Sequence, residues 1–153
     1  MELVPGGQRS IMTRVMASGV FDLIHPGHIS YLEQARSYGD ELIVVVACDS
    51  TVRKRKHEPI TPETMRARIV AALKPVDRAI IGGDGDIFDT VRFVKPDVIV
   101  LGYDQGFDVE ELRGQLMERG LGDIRVIRAT ECAEDLNATR RIIARIRAMG
   151  GSQ

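Results

Sequence analysis

Short apolar runs separated by helical patterns organise the chain. Val15, Met16 and Ala17 form a first run, and 41–47 (ELIVVVA) a second. Ala79 to Gly82 forms a third, 97–101 (DVIVL) a fourth and Ile124 to Ile127 a fifth. The second is continuous and β-branched, as expected of a central strand covered on both faces. Between the runs, apolar residues recur at helical spacing. Gly27 to Tyr38 places Ile29, Leu32 and Ala35 together with Tyr31 beside them, and Gly39 is expected to end that helix at the C′ position. Thr64 to Leu73 reads as a helix with Ile69, Val70 and Leu73 inward, opened by a Thr61 cap and by Pro62 in the first turn. Ile87 to Val94 stops at Lys95 and Pro96, Val109 to Arg119 ends at Gly120, and Leu136 to Met149 is the last helix. Strands alternating with helices and short loops predict an α/β fold with a parallel, doubly wound sheet.

Ligands of such sheets lie outside the carboxyl ends of the strands, where strand order reverses. The first strand leads to His25 and His28, the second to Cys48, Asp49 and Ser50, and the fourth to Gly102, Tyr103 and Asp104. These groups are expected to converge on one edge.

A chain of 153 residues that is 44% hydrophobic makes one ordinary domain. A net charge of −1 gives no field to draw it to nucleic acid or to an anionic membrane. The longest apolar stretches, such as Leu42 to Cys48, are too short to span a bilayer. Residues 1–14 are polar, lack the apolar core of a secretory signal, and read as a disordered leader before a domain at 15–150. Cys48 and Cys132, with no such signal, argue for a reducing cytoplasm rather than a disulfide.

The chemistry concentrates after the first strand, where Gly19, Val20, Phe21 and Asp22 lead to His25, Pro26, Gly27 and His28. A helix starting at Pro26 offers unpaired backbone N–H groups and the positive end of its dipole, a ready site for phosphate. The two imidazoles add donors able to carry charge near neutral pH. A plain surface turn is the bland alternative. A metal pair is disfavoured, because helix-borne ligand pairs prefer i, i+4 spacing and no suitable third ligand is near.

This corner resembles the H-x-G-H signature of the nucleotidyltransferases related to cytidylyltransferases, and the similarity runs from Val15 to about Met149. Within that superfamily the segments 39–56 (GDELIVVVACDSTVRKRK), 58–80 (EPITPETMRARIVAALKPVDRAI) and 95–105 (KPDVIVLGYDQ) look most like the archaeal-type FAD synthases. The resemblance implies a single Rossmann-like domain with a five-stranded parallel sheet. It also implies transfer of AMP from ATP to FMN, giving FAD and pyrophosphate by direct in-line displacement. The alternative it leaves open is a cytidylyltransferase acting on a small phosphorylated alcohol such as glycerol 3-phosphate. A nucleotide-binding regulatory domain without turnover is a third reading.

On this resemblance His28 bonds the α-phosphate, His25 holds the leaving phosphates, and Val20 and Phe21 offer backbone groups, with Pro26 and Gly27 completing the corner. Arg66 matches a family arginine suited to a planar bidentate grip on phosphate. Lys54 and Lys56, in the basic run after the second strand, are the candidates for a mobile clamp on a substrate phosphate. Asp104 is expected at the ribose or base, where its bland role is a turn cap. Thr139 and Arg140 are what remains of a phosphate-binding segment at the last helix, with Asn137 as its cap. Asp22 and Asp49 hold the turn or help with a metal. No protein-bound metal centre is implied; Mg²⁺ or another divalent ion enters as the ATP complex. Phe21, Tyr103 and Phe107 are the only stacking platforms in view for a flavin ring. ATP and FMN are the implied partners, with no nucleic acid and no membrane, and relatives of this kind often form homodimers.

Overall fold

The computed structural model describes residues 12–134 and 138–150. In chain order its elements are β1 (Arg14–Gly19), α1 (Pro26–Arg36), β2 (Glu41–Val46), α2 (Asp49–Arg55), α3 (Glu63–Ala71) and β3 (Arg78–Ile81). Then follow α4 (Ile87–Val94), β4 (Val98–Leu101), α5 (Val109–Glu118), β5 (Arg125–Arg128) and α6 (Thr139–Gly150). The five strands form one parallel sheet in the order β3-β2-β1-β4-β5. The order reverses beside β1, so the crevice between β1 and β4 is where a ligand belongs.

Alternation along each strand sends neighbouring residues to opposite faces. Val15, Ala17, Leu42, Val44, Val98 and Val100 pack with Leu32 and Ala35 of α1 and Val70 of α3. Met16, Ile43, Val45, Ile99 and Leu101 pack on the other side with Val91 of α4 and Leu112 and Leu116 of α5. Both faces of the central strands are therefore dry, which is why 42–47 and 98–101 are apolar without a break.

Several local expectations change. Arg14, assigned to the leader, opens β1: its amide donates to Asp97 and its guanidinium bonds Glu41 and the Val94 carbonyl. The rest of the proposed leader, apart from Met12 and Thr13, lies outside the described residues. Gly39 is not the left-handed end of α1, whose C-cap is Ser37. Glycine is needed there for space, because a Cβ would stand 2.6 Å from the Thr13 carbonyl oxygen. Thr61 does not cap α3, where Pro62 occupies the N-cap without a side-chain bond. Ile69 is more than a third exposed and Arg66 takes the buried place on α3. The segment after β2 is not all loop, since Asp49 to Arg55 forms the short helix α2.

Candidate active site

The turn from β1 into α1 is held under strain. Phe21 and Leu23 both adopt left-handed backbone angles, with φ of 57° and 56°. For residues bearing a Cβ this costs about 1–2 kcal/mol each. The buried carboxylate of Asp22, between them, holds the turn by accepting from the Ile60 amide at 2.7 Å and from the Thr61 amide and hydroxyl at 3.1 and 2.7 Å. The Phe21 ring folds back over Gly19, where an added Cβ would meet ring carbons at 3.0 Å. That ring lies 5.2 Å from the His28 ring and 6.4 Å from Tyr31. The turn thus packs directly under the histidines.

The histidines cap their own helix. His25 is the N-cap of α1, and its Nδ1 accepts from the Gly27 amide at 3.1 Å. The His28 Nδ1 accepts from the His25 amide at 3.3 Å. A backbone N–H can only donate, so both Nδ1 atoms are unprotonated and each neutral ring carries its proton on Nε2. The rings stack with centroids 3.7 Å apart. Burial holds His25 below its ordinary pKa, with Asp104 opposing. Burial, then the neighbouring His25 and Lys56, lowers His28 to about 3, against a smaller pull from Asp22. The imidazoles are therefore neutral donors at pH 7, and the charge that free imidazoles can carry near neutrality is suppressed.

The helix start also differs from expectation. Pro26 has no N–H, the Gly27 amide is taken by His25 Nδ1, and the His28 and Ile29 amides both reach the His25 carbonyl. The unpaired backbone amides expected here are occupied. The donors left to the corner are the two Nε2–H groups.

The carboxyl edge gathers some predicted residues and redirects others. Asp104 and Lys56 are both exposed, and their charges act on His25 and His28 respectively. Thr139 opens α6, and its hydroxyl donates to the Asp22 carbonyl at 2.8 Å, which brings that helix start to the turn. Arg140 beside it is exposed. Asn137, the expected cap, lies outside the described residues. Lys54 is exposed on α2, and Arg53 in the same run is paired with Glu58 at 2.8 Å.

Arg66 departs most from its expected part. Its side chain is fully buried. Nε donates to the Thr61 carbonyl, Nη1 to the Val20 and Ala47 carbonyls, and Nη2 to Asp49 at 2.6 Å. No bidentate face remains for phosphate. The guanidinium instead ties the ends of β1 and β2 to the start of α3. It also occupies the Val20 carbonyl, one of the backbone groups assigned to the nucleotide. Asp49 is the acidic partner of this knot and its carboxyl lies below the usual range. Burial works against that shift, but the hydrogen bond and charge of Arg66 outweigh it.

Among the described residues no group of three His, Cys, Asp or Glu could hold a metal ion. The carboxylates of the corner are already bonded, buried Asp22 to Ile60 and Thr61 and half-buried Asp49 to Arg66. Cys48 and Cys132 are not joined by a disulfide, and none of the described helices is long and apolar enough to cross a membrane. Of the three proposed platforms, Phe21 is buried and Phe107 packs against the core, while Tyr103 is exposed. Sequence reasoning missed Gln105 and Arg128, which brace the loop after β4. Arg128 donates to the Gly102, Gln105 and Phe107 carbonyls. No local pattern marks either residue.

Comparison with known proteins places this geometry. A family model described as Cytidylyltransferase-like matches residues 16–144. A protein named FAD synthase from Aciduliprofundum boonei is 52% identical over 136 residues, covering 88% of this chain and 91% of the relative. One of the same name from Archaeoglobus profundus is 53% identical over 137 residues, covering 88% and 86%. The crystal structure of a lipopolysaccharide core biosynthesis protein from Thermoplasma volcanium superposes with a TM-score of 0.77 at 49% identity, covering 79% of this chain and 98% of that one. Pantothenate synthetase from Thermus thermophilus, at 12% identity and a TM-score of 0.61, covers 82% of this chain and 58% of its own, and shares the fold alone.

Proposed function

This chain belongs to the cytidylyltransferase-like family, and from that premise we propose that it is an FAD synthase, transferring AMP from ATP to FMN and releasing pyrophosphate. Half-identity to FAD synthases along nearly the full length of both chains carries this reading. The histidine corner supplies the chemistry.

An oxygen of the FMN phosphate attacks the α-phosphorus in line. The new phosphoanhydride P–O bond forms as the bond to pyrophosphate breaks, so no protein nucleophile is required. Catalysis then reduces to holding the reactants and stabilising charge on the equatorial oxygens. The Nε2–H of His28 donates to the α-phosphate and that of His25 to the leaving phosphates. Because Nδ1 of each ring is occupied by a backbone N–H, these donors are aimed before substrate arrives and need no reorganisation. Lys56 supplies the cation that meets a substrate phosphate, and Asp104 meets the ribose or base. Thr139 and Arg140 face the outer phosphates. Arg66 is a positioning residue that keeps the β1 and β2 ends in place. A divalent ion travelling with ATP neutralises triphosphate charge, and nothing in the pocket needs to bind it independently. The enzyme works in a reducing cytoplasm.

The deciding experiment is a product assay offering ATP or CTP with FMN or glycerol 3-phosphate. FAD and pyrophosphate from ATP and FMN, with little turnover of CTP, are expected. Preferential turnover of CTP with glycerol 3-phosphate would overturn the reading.

A further inference from the structure

The crevice between β1 and β4 is held open by side chains that take over the work of a sheet ladder. β1 stays paired with β2 as far as Gly19 opposite Val46, but its pairing with β4 stops at Ala17 opposite Val100. β4 continues beside β5 to Leu101. A split of this kind leaves buried and half-buried backbone groups without ladder partners, and such groups need pairing elsewhere. Four such groups are at issue: the amide and carbonyl of Ser18, the Val100 carbonyl and the Gly102 amide.

Two side chains satisfy all four. The Tyr31 hydroxyl accepts from the Ser18 amide at 3.1 Å and donates to the Val100 carbonyl at 2.6 Å, with the Ser18 carbonyl at 3.2 Å. The Gln105 amide group accepts from Gly102 N–H at 2.7 Å and donates to the Ser18 carbonyl at 2.9 Å. Tyr31 is buried one turn after His28 on α1, its ring parallel to Phe21 within 10°. Gln105 follows Asp104 in the loop that Arg128 pins. The hydroxyl therefore links the strand gap to the histidine helix, and the amide links it to the Asp104 loop.

We propose that Tyr31 and Gln105 form a polar wedge that sets the width of the β1–β4 crevice, and that both are positioning residues for nucleotidyl transfer. The proposal rests on the functional reading above, since it assigns the crevice to the reacting phosphates. Neither residue needs to touch substrate. Their effect passes through the placement of His28 and Asp104, where a displacement of about 1 Å is enough to cost on the order of 100-fold in rate.

The test compares Tyr31→Phe, Gln105→Leu and a packing control, Val91→Ala, on the opposite face of the sheet. Wild-type turnover is measured first, with the nucleotide and acceptor it uses best; that result bears on the functional reading alone. The ratio of variant to wild type bears on the wedge. Tyr31→Phe is expected to lower kcat about tenfold or more with KM for the nucleotide within about threefold, because the reactants still bind but are misplaced. The Ser18 amide should also exchange its hydrogen faster, having lost its acceptor. Val91→Ala should lower the melting temperature while leaving kcat within about twofold. If Tyr31→Phe does not fold, Gln105→Leu, on a surface loop, carries the same expectation for kcat. A fall in kcat below threefold in the folded wedge variant, or an equal fall in the control, overturns the proposal.

Discussion

Acidifying the protein should expose the neutral state of His28 as a stability term. The native ring is lowered from 6.5 to about 3, mainly by burial and then by His25 and Lys56. In the unfolded chain it returns to its ordinary value. Between these limits the unfolded state binds a proton that the folded state does not. Stability is thus full above the unfolded value and is lost as pH falls through the interval. Each pH unit in that window costs about 1.4 kcal/mol for one such group, so moving from about pH 7.5 to about pH 4.5 costs roughly 2–3 kcal/mol. His25 is shifted in the same direction and adds to the total.

The assay is denaturant unfolding of the wild type and of His28→Ala across that range. Carboxylates and His25 titrate in both proteins, so the difference between the two slopes isolates His28. The expected difference approaches one proton, with the wild type losing stability faster in acid. Parallel slopes would refute both the buried neutral ring and the Nδ1 capping bond on which it rests. Activity supplies the matching check. A donor that is already neutral gives no gain in kcat as pH drops through about 6.5. An acid-favoured limb in the wild type that disappears in His28→Ala would mean that the imidazolium is the working form.

Three further outcomes follow from the site. His28→Ala at pH 7.5 should keep the fold, since the hydrogen bond its ring makes is local, from the His25 amide, yet slow pyrophosphate release about 10²–10³-fold, as for loss of an oxyanion donor; a steady-state pyrophosphate assay reads it. Lys56→Ala should raise KM for a phosphate-bearing substrate about tenfold while Lys54→Ala stays within about twofold, because only Lys56 bears electrostatically on His28; equal effects in the same kinetics would remove the distinction. Arg66→Met should destabilise the fold by about 3–5 kcal/mol in chemical unfolding, because it leaves Asp49 and three carbonyls without their buried partner.

The framework of this fold was readable from sequence because burial on both faces writes itself as uninterrupted apolar runs. Leu42 to Val46 and Val98 to Leu101 could serve only as interior strands, and their spacing implied the crossover helices. The histidine corner was readable for a related reason, since Pro26 and Gly27 announce a helix start and the imidazoles flank it. What periodicity could not convey is which polar groups neutralise one another across long sequence separations. Arg66 and Asp49 both look like surface chemistry in one dimension, yet they form a buried knot over β1 and β2. Asp22 reaches Thr61, and Gln105 reaches Ser18, pairs separated by 39 and 87 positions. The histidines show the same limit. Their solution pKa left either charge state open near neutral pH, whereas the folded chain desolvates them and fills Nδ1 with a backbone N–H. Residue identity and local turn signals were therefore legible, but protonation state and reach depended on contacts that only the folded chain supplies. The scaffold occupies Nδ1 of both rings with backbone N–H groups, and that is a property of the tertiary structure rather than of the H-x-G-H spacing.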